Sequence, residues 1–172
     1  PSANRSNAVS PTQPEHVLAS FGDTAPPVID GGSCDTGVES TIVAIDDDGG
    51  WRLLRPGPVT ARKLTDLMGP EAKSRGATIE APGQLAKHYS PGKPVLLNQS
   101  RPDAAAFVIG FGKINGDVNL SPAGDLAEAA SRLYAALHAG AASPNPVIAV
   151  APIPSEDMGR AINDRLQRAA AR

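Results

Sequence analysis

A glycine-rich turn feeding two short β-prone runs constrains this chain more than any other stretch. Residues 31–57 read GGSCDTGVESTIVAIDDDGGWRLLRPG. Thr41-Ile42-Val43-Ala44-Ile45 predicts one strand and Asp46-Asp47-Asp48-Gly49-Gly50 a reversing turn. Trp51-Arg52-Leu53-Leu54-Arg55 predicts the return strand before Pro56-Gly57. Turn residues between two such runs read as a β-hairpin. Antiparallel pairing then brings Ser40 and Thr41 beside Arg55. Hydroxyls next to a fixed guanidinium and flexible glycine turns make a candidate anion or phosphate site.

The chain has 172 residues, enough for one domain or two small ones. Aromatic residues are only 3% of it, so a core must be built from Val, Ile, Leu and Ala. A formal charge of −2 argues against a broad nucleic-acid surface. The single cysteine, Cys34, excludes an internal disulfide and a multi-cysteine zinc site. No apolar run reaches the length of a membrane helix and none leads the chain as a signal peptide would, so a cytoplasmic location without a membrane partner is expected. Pro1 opens the chain in mid-pattern without a Met, which reads as the C-terminal piece of something longer.

In order along the chain, Ser10-Pro11 predicts a helix start, with Ser10 as cap, ending near Phe21-Gly22. Pro26 to Gly32 reads as a short strand entering a glycine turn. Thr60 starts a helix over Ala61 to Met68, with Leu64, Leu67 and Met68 on one face. Residues 69–94 are punctuated by Pro and Gly and read as an interdomain linker or ordered loop. From Pro94 the pattern is α/β: strands at Val95-Leu96-Leu97, Phe107 to Gly112, Val118 to Leu120 and Val147 to Ala151. A helix is expected from Asp125 to His138, stopped by Gly140. The last helix, Gly159 to Arg172, is expected to turn Ile162, Leu166 and Ala169 inward and Arg160, Arg165 and Arg168 outward.

Several blocks together carry a resemblance. Pro1-Ser2-Ala3-Asn4, Ser10-Pro11-Thr12, His16-Val17, Ile29-Asp30-Gly31-Gly32, Gly37-Val38-Glu39-Ser40-Thr41-Ile42-Val43 and Leu54-Arg55-Pro56-Gly57 resemble the C-terminal half of the YrdC-like domain of long-form threonylcarbamoyl-AMP synthases. Ala81-Pro82-Gly83 and His88-Tyr89-Ser90-Pro91 resemble the linker of that form, and the remainder its small C-terminal domain. The implied fold class is α/β with α+β character in the first part. A partial YrdC-like twisted sheet over residues 1–68 and a linker or lid over 69–94 lead to a small Rossmann-like domain over 95–172.

The resemblance implies synthesis of threonylcarbamoyl-adenylate from L-threonine, bicarbonate and ATP, with Mg2+ accompanying ATP and pyrophosphate released. Other proteins then transfer the group to tRNA. It places Ser2, Asn4, Ser10, Arg55 and Tyr89 at ATP, and Ser40 and Thr41 at L-threonine. His88, Pro82 and Gly83 fall in the lid. No covalent intermediate is needed, and no catalytic residue is assigned. The resemblance places the family's Lys-x-Arg element and most of its threonine pocket N-terminal to Pro1. An incomplete site, inactive without the N-terminal half of the domain, is therefore expected, with apolar sheet surface exposed.

Plainer readings stand beside these. Ser10 is also a helix cap, Glu39 a strand-end residue with a structural hydrogen bond, and Asp46-Asp47-Asp48 a solvated turn. His16 and His138 have no partner motif, and nothing near Cys34 in sequence lowers its pKa. Gly110-Phe111-Gly112 lacks the rest of a dinucleotide loop. The alternative function is a non-catalytic RNA- or protein-binding module with a vestigial nucleotide site.

Overall fold

Pro14, rather than Pro11, opens the first helix. The computed structural model describes residues 3–72, 81 and 88–171. Helix α1 spans Pro14–Phe21, and Gln13 at its N-cap is extended, with no side-chain cap. A residue before proline is pushed out of the helical region, so the helix cannot reach back to Pro11. Ser10 is therefore not the cap, and its hydroxyl goes elsewhere. The strand expected over residues 26–32 does not form; that segment is irregular and exposed, Ile29 to 95%.

Strands β1 (Ile42–Ile45) and β2 (Trp51–Arg55) pair antiparallel, Ile42 opposite Arg55 and Ile45 opposite Trp51. The acidic turn is not simply solvated. Asp46 binds Arg52 at 3.1 Å with only 9% of its side chain exposed, and Asp48 accepts the Gly50 N–H at 3.0 Å. Trp51 is 1% exposed and donates its indole N–H to the Gly69 carbonyl at 2.9 Å. Helix α2 (Ala61–Met68) is capped by Thr60, which accepts from the Lys63 N–H. Of its expected apolar face only Leu64 is covered; Leu67 and Met68 are exposed.

Strands β3 (Val95–Leu96), β4 (Phe107–Gly110), β5 (Val118–Asn119) and β6 (Ile148–Val150) form one parallel sheet in the order β3-β6-β4-β5. The all-apolar strand β6 is central and fully buried, as parallel strands covered on both faces are. Helices α3 (Leu126–Ala142) and α4 (Met158–Ala170) pack on the sheet and on each other. Asp125 caps α3 by accepting the Glu128 N–H at 2.8 Å. Gly140 does not stop α3. It is buried against Ile148 and Phe107, and the helix runs on to Ala142. Val9, Val38 and Tyr89 join the same apolar core as Ile109, Leu133, Leu137, Ile148 and Ile162. Each such side chain is worth about 2 kcal/mol in area removed from water. Among the described residues no helix is long and apolar enough to cross a membrane.

The expected outward face of α4 is only partly right. Arg160 is exposed and Arg168 is half-buried on Asp164 at 2.9 Å, but Arg165 is 0% exposed. Position 165 lies three residues after Ile162 and four before Ala169, on the same stripe as the core residues.

Helix α1 docks on α3 through two histidines. The rings of His16 and His138 stack with centroids 3.9 Å apart. His16 Nδ1 accepts the Thr12 N–H, and His138 Nε2 donates to the Ser10 carbonyl. Burial and then the neighbouring His138 hold the His16 pKa down from 6.5 to about 4, against the opposing pull of Glu15. Burial also lowers that of His138, against its bond to Ser10. Both groups are neutral in the folded state where the unfolded chain takes up protons. Their stability contribution is thus present above pH 6.5 and lost as pH falls toward 4. Discounted for screening, the loss is about 1 kcal/mol, or about 3 °C in Tm. A Tm that stays flat between pH 7 and 5, or falls equally in His16→Gln, would contradict it.

Candidate ligand site at the hairpin mouth

The antiparallel register delivers Arg55 to the start of β1. Its Nε donates to the Ser40 carbonyl at 3.0 Å and one terminal nitrogen to Ser40 Oγ at 3.2 Å. A guanidinium that donates into Oγ leaves the Ser40 proton directed at another acceptor, and charge-assisted donors of this kind suit a carboxylate or phosphate. Thr41 is committed differently. Its hydroxyl donates to the Val59 carbonyl at 2.8 Å and accepts the Val59 N–H at 3.0 Å, pinning the turn after β2. Gly57 completes the mouth. A Cβ there would lie 2.5 Å from Thr41 N and 2.7 Å from the Glu39 carbonyl oxygen, so the two chain ends approach as only glycine permits.

Glu39, immediately before Ser40, is the centre of a partly buried polar network. Its Oε1 accepts from Ser10 Oγ at 2.8 Å and from the Tyr134 hydroxyl at 3.0 Å. Its Oε2 accepts from Tyr134 at 2.8 Å and from Arg165 Nε at 3.0 Å. Burial works against ionising Glu39, but Arg165, the Ser10 hydroxyl, its own backbone N–H and Tyr134 outweigh it and lower its pKa. Burial raises the Tyr134 pKa, reinforced by the Glu39 charge. For Arg165 burial opposes the charge, while Tyr134 and Glu39 sustain it. Arg165 also donates to the Pro56 carbonyl at 2.8 Å and to Asp164 at 2.9 Å.

A cavity of about 540 Å³ opens beside this network, lined by Ser10, Thr12, Cys34, Gly37, Glu39 and Tyr134. Gly37 adopts φ +72°, and a Cβ there would lie 2.5 Å from the Ala130 carbonyl oxygen and from Ser131 Cα, so the loop leading to Glu39 sits directly on α3. Asn4 lies next to Ala3, which also lines the cavity. Its Nδ2 donates to the Arg5 and Ala8 carbonyls, and its Oδ1 is buried with no partner among the described residues.

The expected site residues fall in three groups. Ser40 and Arg55 meet at the hairpin mouth, with Thr41 turned to Val59. Ser10 and Asn4 lie at or next to the cavity. Tyr89 is 1% exposed at φ +59°, with its ring 5.5 Å from Tyr134 and under the Arg165 guanidinium at 5.7 Å. His88 contacts the Tyr89 ring edge, and burial first, then Arg168, Arg165 and Arg55, lower its pKa against the pull of Glu39. Ser2, Pro82 and Gly83 lie outside the described residues. Among the described residues no three His, Cys, Asp or Glu side chains gather as a metal cluster.

Glu39 was legible as a carboxylate for which a structural hydrogen bond outweighed a catalytic role, and Tyr134 only as core. The missed partner is Arg165. Its signal was an arginine on the buried stripe of α4, which requires a carboxylate.

Residues 59–171, more than half of the chain, match the family described as threonylcarbamoyl-AMP synthase, C-terminal domain, and residues 1–57 match the family described as telomere recombination. The threonylcarbamoyl-AMP synthase of Pyrococcus abyssi is 29% identical over 99% of this chain and 56% of its own length. That of Bacillus subtilis is 33% identical over 63% of this chain and 33% of its own. The chain thus spans about half the length of the Pyrococcus relative. A crystal structure of P. abyssi Sua5 complexed with L-threonine superposes with a TM-score of 0.81 at 26% identity, covering 99% of this chain and 56% of that one. A second structure of that protein, with an adjacent histidine and tyrosine both replaced by alanine, gives 0.82 at 25% identity, with the same coverage. With its parallel sheet, its paired helices α3 and α4 and the docked hairpin, the chain belongs to the threonylcarbamoyl-AMP synthase C-terminal domain family.

Proposed function

We propose that the chain contributes to a threonylcarbamoyl-AMP synthase, which joins L-threonine, bicarbonate and ATP into threonylcarbamoyl-adenylate for tRNA modification. The observation that carries this reading is the Ser40 hydroxyl held by Arg55 at the hairpin mouth. It offers a hydroxyl donor to the amino acid and a fixed cation to the phosphates. In the reaction a carbamate oxygen of N-carboxy-threonine bonds to the α-phosphorus of ATP, and the bond to pyrophosphate breaks. Charge builds on phosphoryl oxygens, so positioned donors rather than a nucleophile do the work.

In this reading Ser40 orients L-threonine and Arg55 contacts ATP, while Thr41 holds the turn that shapes the threonine side. Ser10 and Asn4 face the nucleotide, and the resemblance assigns Ser2 to the same ligand. The Oδ1 of Asn4, unpartnered among the described residues, is an oxygen of the kind Mg2+ takes, so Asn4 would help hold the ion that neutralises phosphate charge. His88-Tyr89 is the one adjacent His-Tyr pair in this chain, and the alanine-replaced pair of the Pyrococcus structure supports a role for it at the site. The chain covers 56% of the Pyrococcus relative, and the family's Lys-x-Arg element is expected in the part it does not cover. A polypeptide of these residues alone is therefore expected to release little pyrophosphate.

Titration calorimetry with L-threonine and ATP tests the reading, with and without the N-terminal half of the catalytic domain supplied. Binding is expected to be strong only with both halves, and Ser40→Ala is expected to weaken L-threonine about tenfold by removing one hydrogen bond to a charged group. Unchanged L-threonine affinity in Ser40→Ala would remove Ser40 from the site. RNA binding by the chain without affinity for either small ligand would favour the binding-module reading.

A further inference from the structure

Arg165 lies on α4, yet it touches both ends of the hairpin mouth. Its Nε holds the Glu39 carboxylate at 3.0 Å and a terminal nitrogen reaches the Glu39 carbonyl at 3.4 Å. The other terminal nitrogen donates to the Pro56 carbonyl at 2.8 Å. Glu39 immediately precedes Ser40, and Pro56 immediately follows Arg55. One rigid, fully buried guanidinium therefore spans the residues flanking the hydroxyl and the cation that face the ligand. Its own orientation is set by Asp164 at 2.9 Å and by the Tyr89 ring beneath it, which stacks in turn on Tyr134. The same helix carries the Arg168 carbonyl that accepts the His88 N–H at 3.3 Å, so α4 anchors the linker as well.

From this we infer that Arg165 is a positioning residue, through which helix α4 of the C-terminal portion sets the spacing of Ser40 and Arg55 for the ligand. The inference rests on the proposed ligand site, since it assigns that site its support. Arg165 has no exposed surface and so does not touch the ligand itself. A forked, planar cation can bridge a carboxylate and a carbonyl that a lysine ammonium would have to choose between. The close backbone approach at Gly57 leaves the mouth no slack with which to compensate for a lost clamp.

The test compares Arg165→Met and Arg165→Lys with Leu166→Ala, a core truncation one residue along the same helix that leaves the clamp intact. L-threonine affinity is read by calorimetry well below every Tm, with the N-terminal half of the catalytic domain supplied. Hydrogen exchange over peptides 39–43 and 53–57 is read by mass spectrometry without ligand. Arg165→Met is expected to weaken L-threonine at least tenfold and to raise exchange in both peptides at least tenfold. Arg165→Lys should recover part of the Tm but little of the affinity. Leu166→Ala should lose Tm while its affinity stays within twofold.

Equal exchange in the two mouth peptides of Arg165→Met and Leu166→Ala would overturn the clamp whatever the ligand does. Affinity in Arg165→Met that matches the unmutated protein would overturn its role in binding. If the unmutated protein binds no L-threonine but Arg165→Met still loosens both peptides, the ligand reading falls and the clamp stands.

Discussion

Glu39→Gln is expected to lower Tm by about 6–12 °C, corresponding to about 3 kcal/mol for a chain of this size. The reason lies in the chemistry of its neighbours. Every side chain that meets the Glu39 carboxylate is a donor: Ser10 and Tyr134 at one oxygen, Tyr134 and Arg165 at the other. A glutamine keeps one acceptor oxygen but turns an NH2 toward hydroxyls that must then reverse. It also takes from the 0%-exposed Arg165 guanidinium one of its two anions, leaving Asp164 alone to balance it. Stripping an anion from a buried cation costs more than the pair contributes over apolar substitutes. Glu39→Gln combined with Arg165→Met should therefore be less destabilised than the sum of the single changes. The pH dependence has a definite sign. The Glu39 pKa is lowered in the folded state from 4.5, so its stabilisation is present above pH 4.5 and disappears as pH falls through the folded value. The Tm gap between the unmutated protein and Glu39→Gln should narrow below pH 4.5. A gap that stays constant down to pH 3, or a Tm change under 2 °C, would show that the carboxylate does not hold Arg165, with about 1 kcal/mol as the resolvable limit.

The hairpin was readable because its signals are local: alternating turn chemistry and β-branched runs within fifteen or so residues of one another. The parallel sheet was readable for a related reason, since β6 is apolar at every position and glycine turns separate strands from helices. What was not readable depends on contacts distant in sequence. Ser10 looked like a cap because serine before proline usually is one, but Pro14 sets the helix start and Glu39, far along the chain, takes the hydroxyl. Arg165 looked solvated because arginines usually are. Its position on the stripe between Ile162 and Ala169 was the stronger clue, and only the fold reveals the carboxylate that makes burial tolerable. The mouth residues Ser40 and Arg55 were paired correctly by register alone, whereas the function of Thr41 as a pin on Val59 required the turn geometry.

Gly37→Ala carries the other large effect, and Gly32→Ala is its internal standard. Both glycines have positive φ, +72° at Gly37 and +84° at Gly32, so either substitution pays the left-handed backbone penalty of about 1 kcal/mol. Their surroundings differ. Nothing lies within 4 Å of a Cβ at Gly32, while at Gly37 the Ala130 carbonyl and Ser131 Cα stand 2.5 Å away. Those atoms belong to the backbone of α3, whose neighbours Ala129, Ala130 and Leu133 are fully buried, so the helix cannot yield. The loop must lift instead, and Val38 leaves the shared core as it does. Glu39 is then drawn from Tyr134, Ser10 and Arg165 together. Loss of that network and of one apolar anchor adds about 3 kcal/mol or more to the backbone term. Gly32→Ala should lower Tm by about 2–4 °C and Gly37→Ala by more than 10 °C. Because the lifted loop carries Ser40, L-threonine affinity should fall with Gly37→Ala and stay unchanged with Gly32→Ala. Equal Tm losses in the two variants would mean that the loop does not rest on α3, and the C-terminal portion would then have no hold on the hairpin mouth through this contact.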